Sequence, residues 1–168
     1  MNMRWILATV LSCSSLVAAA ATPARPAAAE VERELTTTYF HWFPEMATYY
    51  SVDPAVAGPG STTRLSPRTQ ADEVAKRAAF KRILARFGEV DVAGLSQSEH
   101  VFHAALEATL RGSLAPAEVV EYGTVFSAWG MWFMPYAVSQ IGGPQDLVTK
   151  LLDSQQPVRN EADAEDYL

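Results

Sequence analysis

The sequence predicts an all-α fold, and three observations support this prediction. Apolar residues recur at spacings of three and four in several segments, as they do along one face of a helix. Serine or asparagine precedes some of these segments, and proline or glycine separates them, which is typical of helix ends. No segment keeps the alternation of apolar and polar residues that a half-buried strand needs. We therefore expect an irregular array of helices.

Two helices separated by Pro44 should open the domain. A proline cannot continue a helix interior but fits a first turn, so the first helix should end near Phe43 and the second should begin with Pro44. The apolar stripe that they share consists of Val31, Leu35, Thr38, Tyr39, Trp42, Met46 and Tyr49. A long loop rich in glycine and proline should follow, from Ser51 to Ser66.

The next helices can be placed from their caps. Ser66-Pro67 predicts the start of a helix that ends at Phe87, before Gly88. Its predicted buried stripe is Phe80, Ile83, Leu84 and Phe87. Ser96 and Glu99 form a capping-box pattern that should open a helix to about Arg111. The residues that this helix should bury are Phe102, Ala105, Leu106 and Leu110.

Three shorter helices should follow. Pro116 predicts one through Tyr122, and Pro144 predicts another. The side chains that this second helix should bury are Leu147, Leu151 and Leu152. Asn160 is a good N-cap, and acidic residues follow it, so a last helix should begin there.

The composition indicates a globular protein without a nucleic-acid partner. Of 168 residues, 49% are apolar and 19% are charged, which is typical of a folded domain. Acidic residues number 19 against 13 Lys and Arg, for a net charge of −6. No basic stripe is present to neutralise phosphates, so we expect no nucleic-acid binding.

The first 29 residues read as a signal peptide and a linker. Arg4 precedes the apolar run WILATVL, and small residues follow, with candidate cleavage points after Ala21 and Ala29. We therefore expect an exported protein, periplasmic or secreted, with a domain over residues 30–168.

Cys13 is the only cysteine, so the chain cannot form an internal disulfide. The segment VLSC resembles a bacterial lipobox, in which Cys13 would carry a lipid, although Leu11 is bulky for that motif. The alternative is that Cys13 is removed with the signal. Both readings stay open, and we expect no membrane contact beyond the signal or this lipid anchor.

Residues 122–145 contain no charged side chain. A membrane span needs about 20 mostly apolar residues, and Gly130 and Pro135 interrupt this one. A segment that is apolar on all sides is more typical of a buried one. The predicted helices are too few to surround this segment on all sides. We therefore expect residues 30–168 to be an incomplete part of a larger helical domain.

Candidate chemistry is sparse. His100, His103 and Glu107 lie at i, i+3 and i+7, a spacing that could hold one metal ion. The predicted buried face leaves His100 and Glu107 on the solvated side of the helix and His103 at its border, so we expect no metal site there.

Other candidate groups favour structural roles. Glu45 and Asp53 could act as a carboxylate pair, but capping and turn roles suit them better. His41 suits a helix surface. We expect no catalytic, cofactor-binding or metal-binding residue in this chain.

Several stretches, taken in order, carry a resemblance to a known family. Two of them are LSPRTQADEVAKRAAFKRILARF and VDVAGLSQSEHVFHAALEATL. FPEMAT contains the matching residues Phe43, Pro44, Glu45, Ala47 and Thr48. A stretch beginning MPYAVSQIGGPQ contains Gln140, Gly142, Gly143 and Pro144, and Gln156-Pro157 through Tyr167-Leu168 complete the pattern. Together they resemble the start of a bacterial family catalogued as "domain of unknown function 885".

The resemblance implies a longer, helical, exported protein. Members carry a His-Glu-x-x-Pro-Gly-His segment farther along, which suggests a zinc-dependent peptidase or related hydrolase. This segment is absent from the present sequence. The resemblance therefore implies zinc only for full-length members of the family, and it assigns no functional residue to this chain. We expect an N-terminal fragment that is inactive alone, with the rest of the polypeptide as its partner. The alternative is a complete small helical lipoprotein that binds a protein through residues 122–141.

Overall fold

A computed structural model describes residues 26–61, 63–120, 123–126, 134, 136 and 143–167 of the chain. Within these ranges the protein is helical, and the fold class is all-α. The α-helices are α1 Ala28–Trp42, α2 Pro44–Tyr49, α3 Pro54–Ala57, α4 Gln70–Phe87, α5 Gln97–Leu114, α6 Pro116–Val119, α7 Pro144–Ser154 and α8 Glu161–Tyr167. A 3₁₀ turn spans Val92–Gly94.

The helix α4 lies at the centre of the array. It packs against α1 on one side and against α5 on the other, while α2 contacts α1, α3 and α7. Burial of aromatic and aliphatic side chains holds these helices together, as it does in most globular proteins. Central members of the core are Val31, Phe43, Met46, Phe80, Ile83, Phe87, Leu110, Val125, Phe126 and Leu147.

Several predicted boundaries are confirmed. Helix α1 gives way to α2 at Phe43, with Pro44 at the first helical position. Helix α4 ends at Phe87, and α7 begins at Pro144. Ser96 and Glu99 form the predicted capping box of α5.

The predicted start of α4 was wrong. The helix begins at Gln70, and its cap is Thr69, whose hydroxyl accepts from the Asp72 N–H while the Asp72 carboxylate accepts from the Thr69 N–H. Ser66 does not cap the helix because its N–H and hydroxyl both bind Glu45. A tertiary contact therefore displaced a local capping signal.

The buried face of α5 was predicted only in part. Leu110 is buried and Leu106 packs against the core, as predicted, but Phe102 and Ala105 are exposed and His103 is buried instead. The helix is rotated so that the stripe of His103, Leu106 and Leu110 faces the array, since α4 packs on that side. Here the packing of α4 overrode the apolar pattern.

Smaller differences concern helix lengths and the edges of stripes. Helix α5 continues to Leu114, α6 ends at Val119, and α3 forms inside the predicted loop. Tyr49, predicted to be buried, is 37% exposed. Phe40 and Phe43 are buried, although the predicted stripe did not include them.

Candidate functional site

Glu45 is a buried carboxylate at the start of α2, with only 2% of its surface exposed. It accepts hydrogen bonds from the Ser66 N–H at 3.0 Å and from the Ser66 hydroxyl at 2.6 Å. The Arg68 guanidinium lies 3.4 Å away. Charge-assisted bonds of this kind are among the stronger ones in proteins. They fix the segment before α4 against α2.

The phenol of Tyr39 lies near the same carboxylate. Burial raises the pKa of Tyr39 well above its ordinary value, and the neighbouring charges of Tyr50 and Glu45 raise it further. A phenol held neutral in this way can donate a hydrogen bond but does not serve as a base near neutral pH. The surroundings of Glu45 therefore favour a structural role.

Lys76 on α4 is a second buried charge, with 3% of its surface exposed. Its Nζ donates to Glu73 Oε1 and to the Thr124 hydroxyl, both at 2.7 Å, and it lies 5.0 Å from the centroid of the Phe43 ring. Burial lowers the pKa of Lys76, while the hydrogen bond and charge of Glu73 oppose the shift. The ammonium group thus joins α4 to residues 123–126.

The predicted metal candidates are not brought together. His100 is exposed, whereas His103 is buried, with Nε2 3.3 Å from the Phe87 carbonyl oxygen and Nδ1 3.9 Å from Glu32 Oε1. Glu107 pairs with Arg111. Across the described ranges, no three histidine, cysteine or acidic side chains are close enough to share an ion. These residues do not fit the zinc that the family resemblance implies for a full-length protein.

Other predicted candidates lie apart from one another. His41 is exposed, and its ring lies edge-on to Trp42. Asp53 caps α3 by accepting from the Ala55 N–H at 2.8 Å, so its predicted capping role is confirmed.

Asp53 also lines a polar cleft of about 460 Å³ between the α2–α3 turn and the α7–α8 linker. Thr48 and Ser51 from the same part of the chain also line the cleft, together with Gln155 and Arg159 of the α7–α8 linker and Asp163 of α8. Ser51 has a φ of 53°, a left-handed backbone conformation that serine rarely adopts. No sequence motif indicated this cleft, since its walls come from segments about 100 residues apart.

The outward face of α5 carries two large apolar side chains that are exposed. Val101 is 63% exposed and Phe102 is 54% exposed, and both line a shallow depression with Ala105. A second depression on the same helix is lined by Ala104, Ala108, Gly112 and Ala115, with Glu107 and Arg111. Small side chains allow another backbone to approach closely, so this surface suits packing against more protein.

Several predicted features fall outside the described residues. They are residues 1–25 of the predicted signal and linker, including Cys13, and most of residues 122–142, including Trp129, Trp132, Gln140 and Gly142. Of that segment, Val125 and Phe126 are fully buried, Tyr136 is 67% exposed, and Thr124 forms an antiparallel bridge with Met134. In the part of the chain that the structure covers, no helix has both the length and the apolar character of a membrane span.

Comparison with models of known protein families, with curated proteins and with solved structures gives no significant match. The family resemblance therefore remains a prediction.

Proposed function

We propose that residues 30–168 form the N-terminal, non-catalytic helical part of an exported, hydrolase-like protein, with the outward face of α5 packed against the rest of that polypeptide. The exposed apolar side chains of Val101 and Phe102 support this proposal most directly. Isolated exposed apolar residues are ordinary, but contiguous ones usually mark an interface. Export rests on the signal pattern of residues 1–29.

The buried charges agree with a scaffold role. Glu45 and Lys76 are each engaged by neighbouring side chains at hydrogen-bond distance. Groups used in acid–base catalysis need access to a substrate. Within the described residues, these two charges hold the α2, α4 and 123–126 segments together. Any zinc or catalytic chemistry would then belong to the rest of the protein.

The alternative is a complete small lipoprotein, anchored through Cys13, that binds a protein partner through residues 122–141. The described start of that segment gives it little support, since Val125 and Phe126 lie inside the core.

DNA sequencing beyond the codon for Leu168 tests the main proposal. We expect a reading frame, intact or restored by a single base change, that encodes further helical sequence and the His-Glu-x-x-Pro-Gly-His segment. A stop codon followed by unrelated DNA would contradict it and favour the lipoprotein.

The role of α5 has its own test. A thiol placed at Phe102→Cys, in a chain whose Cys13 is changed to serine, should react rapidly with a maleimide in the 168-residue chain. It should become protected in the longer polypeptide. Val74→Cys is the matched control, because Val74 is 58% exposed and lies on α4. Equal reactivity at Phe102→Cys in both chains would overturn this role for α5.

A further inference from the structure

The polar cleft beside Asp53 has the size of a small-molecule site. Its volume of about 460 Å³ falls within the range of about 300–1,000 Å³ for ligand pockets. Its lining comes from two parts of the chain, residues 47–54 as one wall and residues 155–163 as the other, and from Thr63. The cleft therefore depends on the packing of the α7–α8 linker near α2.

Hydrogen bonds fix both walls. On one side, Asp53 binds the Ala55 N–H at 2.8 Å, and the Val52 N–H donates to the Ala47 carbonyl at 2.8 Å. On the other side, the Asp163 carboxylate accepts from the Arg159 N–H at 2.9 Å. A site whose polar groups are already held in place loses little conformational entropy when a ligand binds.

The lining carries charges of both signs. Asp53 comes from residues 47–54, whereas residues 155–163 contribute both Arg159 and Asp163. Among the residues that the structure describes, no carboxylate lies within 4.0 Å of the Arg159 guanidinium. The hydroxyls of Thr48 and Ser51 and the amide of Gln155 add neutral hydrogen-bonding groups. The cleft thus offers separate partners for a positive and a negative group.

A ligand with a single charge suits this lining less well. A simple anion would meet Arg159 but also the carboxylates of Asp53 and Asp163, which repel it. A simple cation would meet Asp53 and Asp163, but the positive charge of the Arg159 guanidinium would repel it. A molecule that carries both an ammonium and a carboxylate group satisfies both walls.

We propose that this cleft binds a small zwitterionic molecule of amino-acid size, with its carboxylate on Arg159 and its ammonium group on Asp53. The proposal does not depend on the proposed scaffold function. It concerns α2, α3 and the α7–α8 linker, and leaves the face of α5 free.

Calorimetric titration of the full chain tests the proposal. The zwitterionic probes are L-alanine, L-glutamine and L-phenylalanine at millimolar concentration. Two analogues of L-glutamine each lack one charge: 4-carbamoylbutanoate has no ammonium group, and 4-aminobutanamide has no carboxylate. We expect at least one zwitterion to bind, and each single-charge analogue to bind about tenfold or more weakly than L-glutamine if L-glutamine binds.

Variants separate the two contacts. Arg159→Gln and Asp53→Asn should each weaken binding of the zwitterion about tenfold or more. Asparagine keeps the capping ability of Asp53, so α3 should remain intact. Arg82→Gln on the exposed side of α4 is the matched control and should bind as the wild type does. Circular dichroism confirms that each variant is folded.

Two results would overturn the proposal. One is that none of the three zwitterions binds to the folded chain. The other is binding that Arg159→Gln and Asp53→Asn leave unchanged, which would place the ligand elsewhere.

Discussion

The carboxylate of Glu45 binds Ser66 twice, through the Ser66 N–H at 3.0 Å and through its hydroxyl at 2.6 Å, although 21 residues separate them. Glu45 stands in the first turn of α2, and Ser66 precedes α4. The pair thus joins the two ends of the segment that contains α3. It also explains why α4 begins later than its local sequence indicates.

Replacement of Ser66 by alanine should therefore destabilise the fold. We expect Ser66→Ala to lower the free energy of unfolding by about 1–3 kcal/mol, because it leaves a buried carboxylate with one partner fewer. The control is Ser98→Ala, which removes an exposed hydroxyl and should change the free energy of unfolding by about 0.5 kcal/mol or less. Urea unfolding followed by circular dichroism measures both. An equal or smaller loss for Ser66→Ala would contradict the importance of the pair.

The burial of Lys76 should make the stability of the fold depend on pH in the alkaline range. Burial lowers the pKa of Lys76 below its ordinary value of 10.5. The Lys76 ammonium group therefore keeps its proton to higher pH in the unfolded chain than in the folded chain. As a result, the contribution of Lys76 to the free energy of unfolding rises with pH in the range just below 10.5. The unfolding free energy of the wild type should rise relative to that of Lys76→Met across this window.

Urea unfolding at a series of pH values, from neutral to just below 10.5, checks this prediction. Lys81→Met, which also removes one positive charge from α4 but at an exposed position, controls for net charge. Parallel profiles for the wild type and Lys76→Met would show that burial does not shift this group.

The two histidines of α5 form a matched pair for mutation. We expect His103→Ala to lower the unfolding free energy by about 1–3 kcal/mol, because it removes a buried ring and its bond to the Phe87 carbonyl. His100→Ala should change it by about 0.5 kcal/mol or less, since His100 is exposed. Thermal and urea unfolding compare the variants. Similar losses would mean that the observed rotation of α5 is wrong.

Substitutions of two phenylalanines also test which face of α5 is buried. Phe87→Ala should cost about 3–5 kcal/mol because it empties a fully buried position. Phe102→Ala should cost about 1 kcal/mol or less in the 168-residue chain, because the ring is 54% exposed. Urea unfolding measures both. A large loss for Phe102→Ala in the isolated chain would show that this face is already covered.

The helix ends show where sequence reasoning succeeds. Pro44, Pro144, the Ser96–Glu99 box and the Asn160 cap each act within a few residues, and each is found where predicted. Asn160 Oδ1, for example, accepts from the Asp163 N–H at 3.0 Å. Such signals depend on backbone geometry and short side chains, so the neighbouring residues suffice to predict them.

Roles that depend on distant contacts could not be predicted in this way. Glu73 and Lys76 form an ion pair within one turn of α4, but nothing in the neighbouring sequence indicates that Thr124 and Phe43 would contact Lys76 as well. The polar cleft likewise joins Asp53 to Arg159 across about 100 residues of sequence. Neither arrangement leaves a local pattern.

The sequence by itself determined the all-α class and several helix ends, because these follow from periodicity and caps. It also contains the pattern of an export signal, which stays a prediction. Tertiary structure decided which face of α5 is buried, why Ser66 leaves the helix cap to Thr69, and how Asp53 and Arg159 come to face one cleft. The physical reason is that these outcomes depend on competition among contacts from several helices. A short segment does not contain the information that decides such a competition.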